Sequence, residues 1–380
     1  MVAKNQRVEA QGSESPLTIQ YIEGTGWRTG VLVDASPGTE VAPALMPTHG
    51  EYPIYDTALY DAMMADAERN WRFREALEKH ARDRIVLDIG TGPELFWARE
   101  GLRSGARQVF AMEAMESSFR TASQTLAGLA DGHRATLLHG ESTALEIEPK
   151  AEVCVAEILG SLPGAEGAAA VFADAKRRLL TPDAVIVPDL CLTQAAAVNF
   201  TDLFAGRAPA FSDAALPQLQ RLFEWNGGPF DVRLRVVNPA RQAVISDSAP
   251  VERLEFNGDL QVEQDADVRL TMTRPGTVDG VLTWLVMRCL PDQEPLDAMR
   301  GKTNWASIYL PLFDNGIPVE AGDVMNLTFR TVLSEDGIHP EYDLTGELHT
   351  ATGVHRARHF SPYRSNAAHR HPVYRSLFPE

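Results

Sequence analysis

The sequence has few cysteines, a deficit of basic residues and no long apolar run. Only three cysteines occur among its 380 residues, and they are Cys154, Cys191 and Cys289. Because they are odd in number and never in C-x-x-C spacing, they exclude a disulfide framework and a cysteine zinc site and favour a reducing compartment. No apolar stretch reaches the roughly 18 residues of a membrane-spanning helix, and no signal-peptide pattern is present. We therefore expect a cytoplasmic protein without a membrane partner.

Acidic residues outnumber basic ones by 52 to 35, which gives a formal net charge of −17. Such a field repels phosphate backbones and attracts cations, so nucleic acid is not an expected partner. The hydrophobic fraction of 44% and the charged fraction of 23% are those of a folded globular protein. At roughly 100–200 residues per domain, the length predicts two or three domains.

The first half of the chain alternates short β-rich runs with helical stretches. This alternation predicts βαβ units and a mostly parallel sheet, preceded by a helix between Tyr55 and Arg82. The predicted strands are Ile85–Ile89, Gln108–Met112, Ala135–His139, Val153–Ala156 and Val185–Val187, and the helices between them are Leu95–Leu102, Ser117–Leu129 and Ala168–Leu180.

The second half is rich in short β-branched runs separated by turn residues, which is typical of a β-barrel or sandwich. A helical insert at Ser212–Trp225 interrupts these runs. The predicted strands are Asp231–Val237, Ala243–Ile245, Val268–Thr273, Val281–Met287, Ser307–Leu310 and Met325–Val332.

We therefore predict an α/β protein in which a Rossmann-like domain is followed by a β-barrel or sandwich domain. The boundaries are a strand-rich arm at 1–50, the Rossmann-like domain at 51–188, the β domain at 189–354 and a basic tail at 355–380.

A glycine turn follows the first predicted strand, in the segment Val86–Gly92. Glycines let a backbone approach a ligand closely, and the helix that follows presents unpaired N–H groups. The segment contains Asp88, Gly90 and Gly92, but the later glycine of a dinucleotide-binding fingerprint is missing. Glu113 ends the next strand, where its carboxylate can accept hydrogen bonds from ribose hydroxyls. The pattern favours S-adenosylmethionine over a dinucleotide, and an ordinary βα turn is the alternative.

The segment Asp66–Phe73 has the pattern D-x-x-R-x-x-x-F just ahead of that strand. It resembles the corresponding helix of the protein arginine methyltransferase family. The resemblance implies that Arg69 pairs with the carboxylate of the methionine moiety, a charge-assisted contact that fixes the donor's orientation. Glu141, in Gly140-Glu141-Ser142, is similar to the glutamate of the family that contacts adenine.

Two further glutamates, Glu157 and Glu166, flank a loop after the fourth strand of the predicted sheet. They resemble the double-glutamate loop with which the family grips the acceptor guanidinium. Because a guanidinium stays protonated and presents a planar fork of N–H groups, it requires matching carboxylates. Ordinary loop carboxylates are the alternative interpretation.

The segment Thr303-Asn304-Trp305 is similar to the T-H-W loop that closes the family's acceptor pocket. Asn304 stands where the family usually has histidine, whose partner corresponds to Asp66. An asparagine hydrogen-bonds but does not take up a proton, so a tether is expected and a proton relay is not. Trp305 is expected over the acceptor or in the core.

The resemblance implies an S-adenosylmethionine-dependent N-methyltransferase that forms Nω-methylarginine, releases S-adenosylhomocysteine and needs no metal. It also implies a homodimer held by a helical arm over about residues 205–226. The turn after Gly92 is similar to that of divergent, monomethylating members.

The acceptor is expected to be L-arginine, either free or within a peptide. Bacterial enzymes that resemble this family are expected to methylate free L-arginine in natural-product biosynthesis. We therefore favour the free amino acid as the acceptor, with protein arginine as the alternative. The tail offers a basic lid for its carboxylate, through Arg356, Arg358, Arg364, Arg370 and Arg375.

Two other classes of protein remain open. A small-molecule O- or C-methyltransferase would use the same scaffold, because a fold does not set the acceptor. A catalytically inactive binding module is the second, and its support is the unusual Pro93-Glu94 turn together with Asn304.

Overall fold

The computed structural model describes residues 6–7, 17–36, 42–48, 50–52, 54 and 63–380. Its strands fall into a parallel sheet and a larger antiparallel part. The strands in chain order are β1 (Gln6–Arg7), β2 (Leu17–Gly24), β3 (Trp27–Asp34), β4 (Ala44–Pro47), β5 (Ile85–Ile89), β6 (Gln108–Glu113), β7 (Ala135–His139), β8 (Ala151–Ala156), β9 (Leu180–Val187), β10 (Leu190–Val198), β11 (Phe211–Ser212), β12 (Leu234–Val237), β13 (Ser248–Glu255), β14 (Gln264–Thr271), β15 (Gly276–Val278), β16 (Gly280–Arg288), β17 (Leu296–Asp297), β18 (Ser307–Pro311), β19 (Ile317–Val319), β20 (Val324–Leu333), β21 (Pro340–Thr350) and β22 (Gly353–Ser361).

The described part of the chain also contains helices on both sides of the parallel sheet and within the β-rich half. The α-helices are α1 (Ala67–His80), α2 (Phe96–Arg103), α3 (Glu116–Ala127), α4 (Ala168–Arg178), α5 (Leu216–Asn226) and α6 (Pro372–Leu377). Short 3₁₀ turns occur at Gly132–Arg134, Thr201–Phe204, Asp213–Ala215 and Arg241–Ala243. None of these helices is long and apolar enough to cross a membrane.

Five strands form the parallel sheet, in the order β7-β6-β5-β8-β9. All five residues of the central strand β5 are buried, as expected where helices cover both faces of a parallel sheet. The predicted Rossmann-like domain is thus confirmed as a fold. Strand β9 begins at Leu180 rather than Val185, because Pro182 lies on the sheet's edge strand, where a missing N–H is tolerated.

The β-rich half contains an eleven-stranded sheet in the order β1-β2-β3-β11-β4-β12-β18-β16-β10-β13, in which β17 pairs with β16. A four-stranded sheet in the order β14-β20-β21-β22 and the pair β15-β19 complete it. Within the predicted strand-rich arm, β2 and β3 form a hairpin, and β4 pairs directly with β12. The strand-rich arm is therefore continuous with the sheet of the second half.

Several strands were not predicted, and one prediction was wrong. The long strands that were missed are β10, β13, β21 and β22, and the short strands β11, β15, β17 and β19 of the same half were missed as well. Strand β10 contains alanine at 195–197, a residue depleted in strands, while β22 carries Arg356 and Arg358 on its exposed face. The predicted strand Ala243–Ile245 is instead a 3₁₀ turn at Arg241–Ala243 and extended chain.

Two of the five arginines of the predicted tail belong to the β21-β22 hairpin. Arg356 binds Glu347 at 2.6 Å, and Arg358 binds Asp343 at 2.7 Å across the strands. They are therefore engaged away from any lid. The division of the chain into four domains, including a tail that begins at 355, stays a prediction.

Helix α5 is the helical insert, and it begins four residues later than predicted. It buries Leu219, Leu222 and Phe223. The ring of Phe223 lies 5.9 Å from that of Trp27 and 5.8 Å from that of Phe378, so both ends of the same chain cover this face. The use of the insert as a dimerisation arm stays a prediction.

We predict that Phe223→Ala destabilises the fold by about 3–5 kcal/mol, because it leaves a cavity in this aromatic cluster. Phe360→Ala is the matched control, since Phe360 is 42% exposed and loses little burial. Urea unfolding followed by tryptophan fluorescence measures both. Equal stability of the two variants would contradict the packing of the two chain ends on α5.

Candidate active site

One cavity of about 1180 Å³ lies at the carboxyl ends of the parallel strands and extends to the β-rich half. Residues from both halves line it, including Gly90 and Glu157 on one side and Asn304 and Arg235 on the other. Ligands of open α/β sheets bind at this edge. Pockets for one small ligand measure roughly 300–1000 Å³, so this cavity is larger than a pocket for one small ligand.

The glycine turn after β5 forms one end of the cavity. Gly90 and Gly92 have φ values of +74° and +68°, a left-handed conformation that glycine adopts without strain. Asp88 is fully buried and accepts hydrogen bonds from Thr91 Oγ1 at 2.6 Å and Ala98 N at 2.8 Å. Burial raises the pKa of the Asp88 carboxyl to about 7. Asp88 therefore holds the turn in shape from behind the cavity wall.

Glu113 lines the cavity at the end of β6. Its two carboxylate oxygens accept from Gly92 N at 2.9 Å and Met115 N at 2.8 Å. A carboxylate offers about four lone-pair sites, so each oxygen keeps capacity for one ligand hydroxyl. Burial raises the pKa of Glu113. Glu141 lines the same end of the cavity.

Asp66 connects helix α1 to the β-rich half. One carboxylate oxygen caps the helix by accepting from Arg69 N at 3.0 Å. The other accepts from Thr303 Oγ1 at 2.7 Å and from the backbone N–H of Asn304 at 2.9 Å. The expected tether exists, but the backbone of Asn304 makes it, so it does not depend on the identity of this side chain. Asp66 itself lies behind the cavity wall.

Trp305 is 7% exposed, and its indole N–H donates to Leu159 O at 2.7 Å. Leu159 lies on the loop between Glu157 and Glu166, so Trp305 packs against that loop and also lines the cavity. The tryptophan thus belongs both to the cavity wall and to the core, the two places expected from the sequence.

Arg69 and Glu157 form an ion pair of 2.5 Å, and their side chains are 4% and 5% exposed. Arg69 also donates to Met63 O at 2.6 Å and Asn70 Oδ1 at 3.0 Å. The residue predicted to hold the donor therefore contacts a residue predicted to hold the acceptor. Burial raises the pKa of Glu157, while the positive charge of Arg69 opposes this shift.

Glu166 also lines the cavity, but no cation pairs with it among the residues that the structure describes. Burial raises the pKa of its carboxyl well above the ordinary value, and the charges of Glu157 and Glu51 raise it further. Gly50 lies against it so closely that a Cβ at this position would collide with the carboxylate. Glu166 is thus a crowded acid without a counter-ion.

Sequence reasoning missed several residues around this acid. Glu51 forms a buried ion pair with Arg233 of the β-rich half. Glu252 accepts a 3.3 Å hydrogen bond from Gly164 N, between the two predicted acceptor glutamates. The sequence held one indication of this cluster. Arg233 and Arg235 alternate with apolar residues, and charged side chains are unusual in a buried strand.

In the described part of the chain, no group of three or more histidine, cysteine, aspartate or glutamate side chains is arranged to hold a metal ion. The three cysteines are free and buried. The predicted cavity residues Gly90, Glu113, Glu141, Arg69, Glu157, Glu166, Asn304 and Trp305 line one space, and Asp66, Asp88 and Gly92 stand directly behind it.

The chain is similar to known proteins in sequence and in fold, although no protein-family model matches it. It is 30% identical over 243 residues to protein arginine N-methyltransferase 7 of Drosophila grimshawi, covering 58% of this chain and 34% of that protein. With the Drosophila yakuba protein of the same name it shares 26% identity over 329 residues, which is 74% of this chain and 46% of the relative. The chain thus spans about a third to a half of these relatives' length.

Two solved structures cover 80% of this chain and 98% of their own. The Trypanosoma brucei PRMT1 enzyme-prozyme heterotetrameric complex with AdoHcy has a TM-score of 0.62 at 16% identity. Arabidopsis thaliana protein arginine methyltransferase 10, in an open conformation, has a TM-score of 0.64 at 18% identity. At these identities the likeness shows a shared fold, in which a parallel sheet is followed by a β-rich half. The sequence similarity to the two Drosophila proteins covers the larger part of this chain and the smaller part of theirs.

We predict that Glu157→Gln lowers the pKa of Glu166. The substitution removes a neighbouring negative charge and frees the positive charge of Arg69, and both changes favour ionised Glu166. A pH titration of the Glu166 side-chain ¹³C resonance measures the effect. Glu78→Gln, on the exposed face of α1, should leave that titration unchanged. An unchanged or higher pKa of Glu166 in Glu157→Gln would contradict the electrostatic effect of Glu157 on Glu166.

Proposed function

We propose that the chain is an S-adenosylmethionine-dependent N-methyltransferase that acts on the guanidinium of arginine. The observation that carries this proposal is Glu166, a carboxylate inside the cavity that has no cation partner in the described residues. A guanidinium is permanently charged and planar, and it therefore supplies the missing counter-ion at every physiological pH.

The residues at the glycine end of the cavity fit the methyl donor. The positive φ of Gly90 leaves backbone space, and the free lone pairs of Glu113 suit ribose hydroxyls. Glu141 is assigned to the adenine and Arg69 to the donor carboxylate. When bound, the donor supplies an activated methyl group on a sulfonium.

The double-glutamate loop performs two tasks in this proposal. Glu157 and Glu166 orient one terminal nitrogen of the acceptor towards the methyl group, and orientation of this kind contributes up to roughly 7–11 kcal/mol. A new N–C bond forms as the S–C bond breaks. The nitrogen then carries one proton too many, and the carboxylate pair holds it until it passes to water. Trp305 and the Asp66 tether keep the loop in place.

Free L-arginine is the acceptor that we propose, and an arginine within a protein is the alternative. The names of the relatives refer to protein arginine methyltransferases, so they favour the alternative and give no support to a role in natural-product biosynthesis. The cavity itself favours the free amino acid through a positively charged residue that is considered below.

We expect Glu157→Gln and Glu166→Gln each to lower kcat/KM by about 100-fold or more, because each removes a buried charge facing the guanidinium. Mass spectrometry of reactions with L-arginine and with an arginine/glycine-rich peptide detects the added methyl group. Glu78→Gln serves as the control of equal charge change. Full activity of both loop variants on a non-guanidine acceptor would favour an O- or C-methyltransferase.

Glu113→Gln should weaken binding of S-adenosylhomocysteine by about tenfold or more, because a hydrogen bond to a charged group contributes roughly 1.5–3 kcal/mol. Glu116→Gln is the matched control, since Glu116 lies three residues along the chain, is exposed and pairs with Arg120. Calorimetry measures both. If the unmodified protein bound no donor product, an inactive binding module would replace the proposed enzyme.

A further inference from the structure

Arg235 lies in strand β12, between β4 and β18, with Met46 and Ile308 as its cross-strand neighbours. Its side chain lines the cavity beside Asn304 and Trp305. Trp305 contacts Leu159, so this wall adjoins the loop that carries Glu157 and Glu166. Arg235 therefore reaches the acceptor half of the cavity from the β-rich half of the chain.

The guanidinium of Arg235 has one hydrogen bond, in which Nη2 donates to Asn304 O at 2.5 Å. No carboxylate pairs with it in the part of the chain that the structure describes. The other two arginines of the cavity region differ, because Arg69 pairs with Glu157 and Arg233 with Glu51. Burial alone lowers the pKa of Arg235 to about 10.

Arg235 is half-buried, so it has lost part of its hydration without gaining a counter-ion from the described residues. The cost of burying a charge is offset only by a partner and by hydrogen bonds to its donors. Among the described residues, four of the five guanidinium N–H donors have no partner, and their fork matches a carboxylate in a bidentate geometry. The cavity is thus prepared for an anionic group on the acceptor side.

We propose that Arg235 binds the α-carboxylate of a free amino acid acceptor, whose guanidinium lies at Glu157 and Glu166. This inference rests on the proposed methylation of arginine and specifies its substrate class. The donor's own carboxylate is assigned to Arg69, so it does not need Arg235. An arginine inside a polypeptide has no carboxylate at its α-carbon and leaves Arg235 without a partner.

L-arginine and agmatine form the matched pair of ligands that tests this proposal, because agmatine is arginine without the carboxylate. Binding of each is measured by calorimetry on the full chain in the presence of S-adenosylhomocysteine, with methylation of each followed by mass spectrometry. We expect L-arginine to bind at least about tenfold more tightly than agmatine, from one charge-assisted bidentate contact.

Arg235→Gln should reduce that ratio to about one, and Arg235→Lys should restore part of it, because a lysine keeps the charge but not the fork. Damage to the loop at Asn304 would weaken both ligands alike and leave the ratio unchanged, so the ratio isolates the carboxylate contact. Arg364→Gln tests the competing cation, since Arg364 is one of the tail arginines expected as a lid and is an exposed arginine at the same cavity, stacked 4.4 Å over Trp225. It should preserve the ratio.

Equal binding of L-arginine and agmatine by the unmodified protein, or no binding of either, would overturn the assignment of Arg235. A ratio that collapses in Arg364→Gln but survives in Arg235→Gln would overturn it too. If agmatine and L-arginine were methylated with equal efficiency, the proposed guanidinium methylation would stand and the proposed carboxylate site at Arg235 would be overturned. Arg235-dependent binding of L-arginine without methyl transfer would instead overturn the proposed reaction and retain the site.

Discussion

The carboxylate of Asp66 is the constraint on which the geometry of the cavity depends. It caps helix α1 and, with its second oxygen, binds Thr303 and the backbone of Asn304 in the other half of the chain. The cap fixes the first turn of the helix and therefore the position of Arg69, three residues later. Arg69 in turn fixes Glu157. One buried acid thus aligns the two halves and the groups that each contributes.

Charge is distributed unevenly around this framework. Glu157 and Glu51 have arginine partners, whereas Glu166 and Arg235 have none within the described residues. Glu166 and Arg235 line the same cavity but form no ion pair with each other, so each lacks a counter-ion within the described residues. A molecule that carries a guanidinium at one end and a carboxylate at the other would neutralise both. L-arginine has this arrangement of charges, and a peptide-bound arginine has only half of it.

Packing supports the same site from a distance. Gly50 approaches Glu166, and Gly164 approaches Glu252, at positions where any side chain would collide with a carboxylate. The aromatic rings of Trp27, Phe223 and Phe378 hold the two ends of the chain on helix α5. Because β4 joins the large sheet and leads to Gly50, the packing of the N-terminal arm also determines where the chain meets Glu166.

The sequence by itself determined the parallel sheet and most of the predicted site residues. Strands β5 and β7 were predicted to the residue. Strand β5 is buried and therefore reads as a continuous apolar run between turn residues, whereas β7 is a partly exposed edge strand. The glycine turn, the Asp66–Arg69 pattern and the two glutamates were local patterns with local physical reasons. The tertiary structure decided which charged side chains are buried and which of them are paired. Within the described residues Arg235 has no carboxylate partner, whereas Glu51 pairs with Arg233. Strands distant in sequence meet at one cavity, and burial and charge depend on that meeting rather than on neighbouring residues.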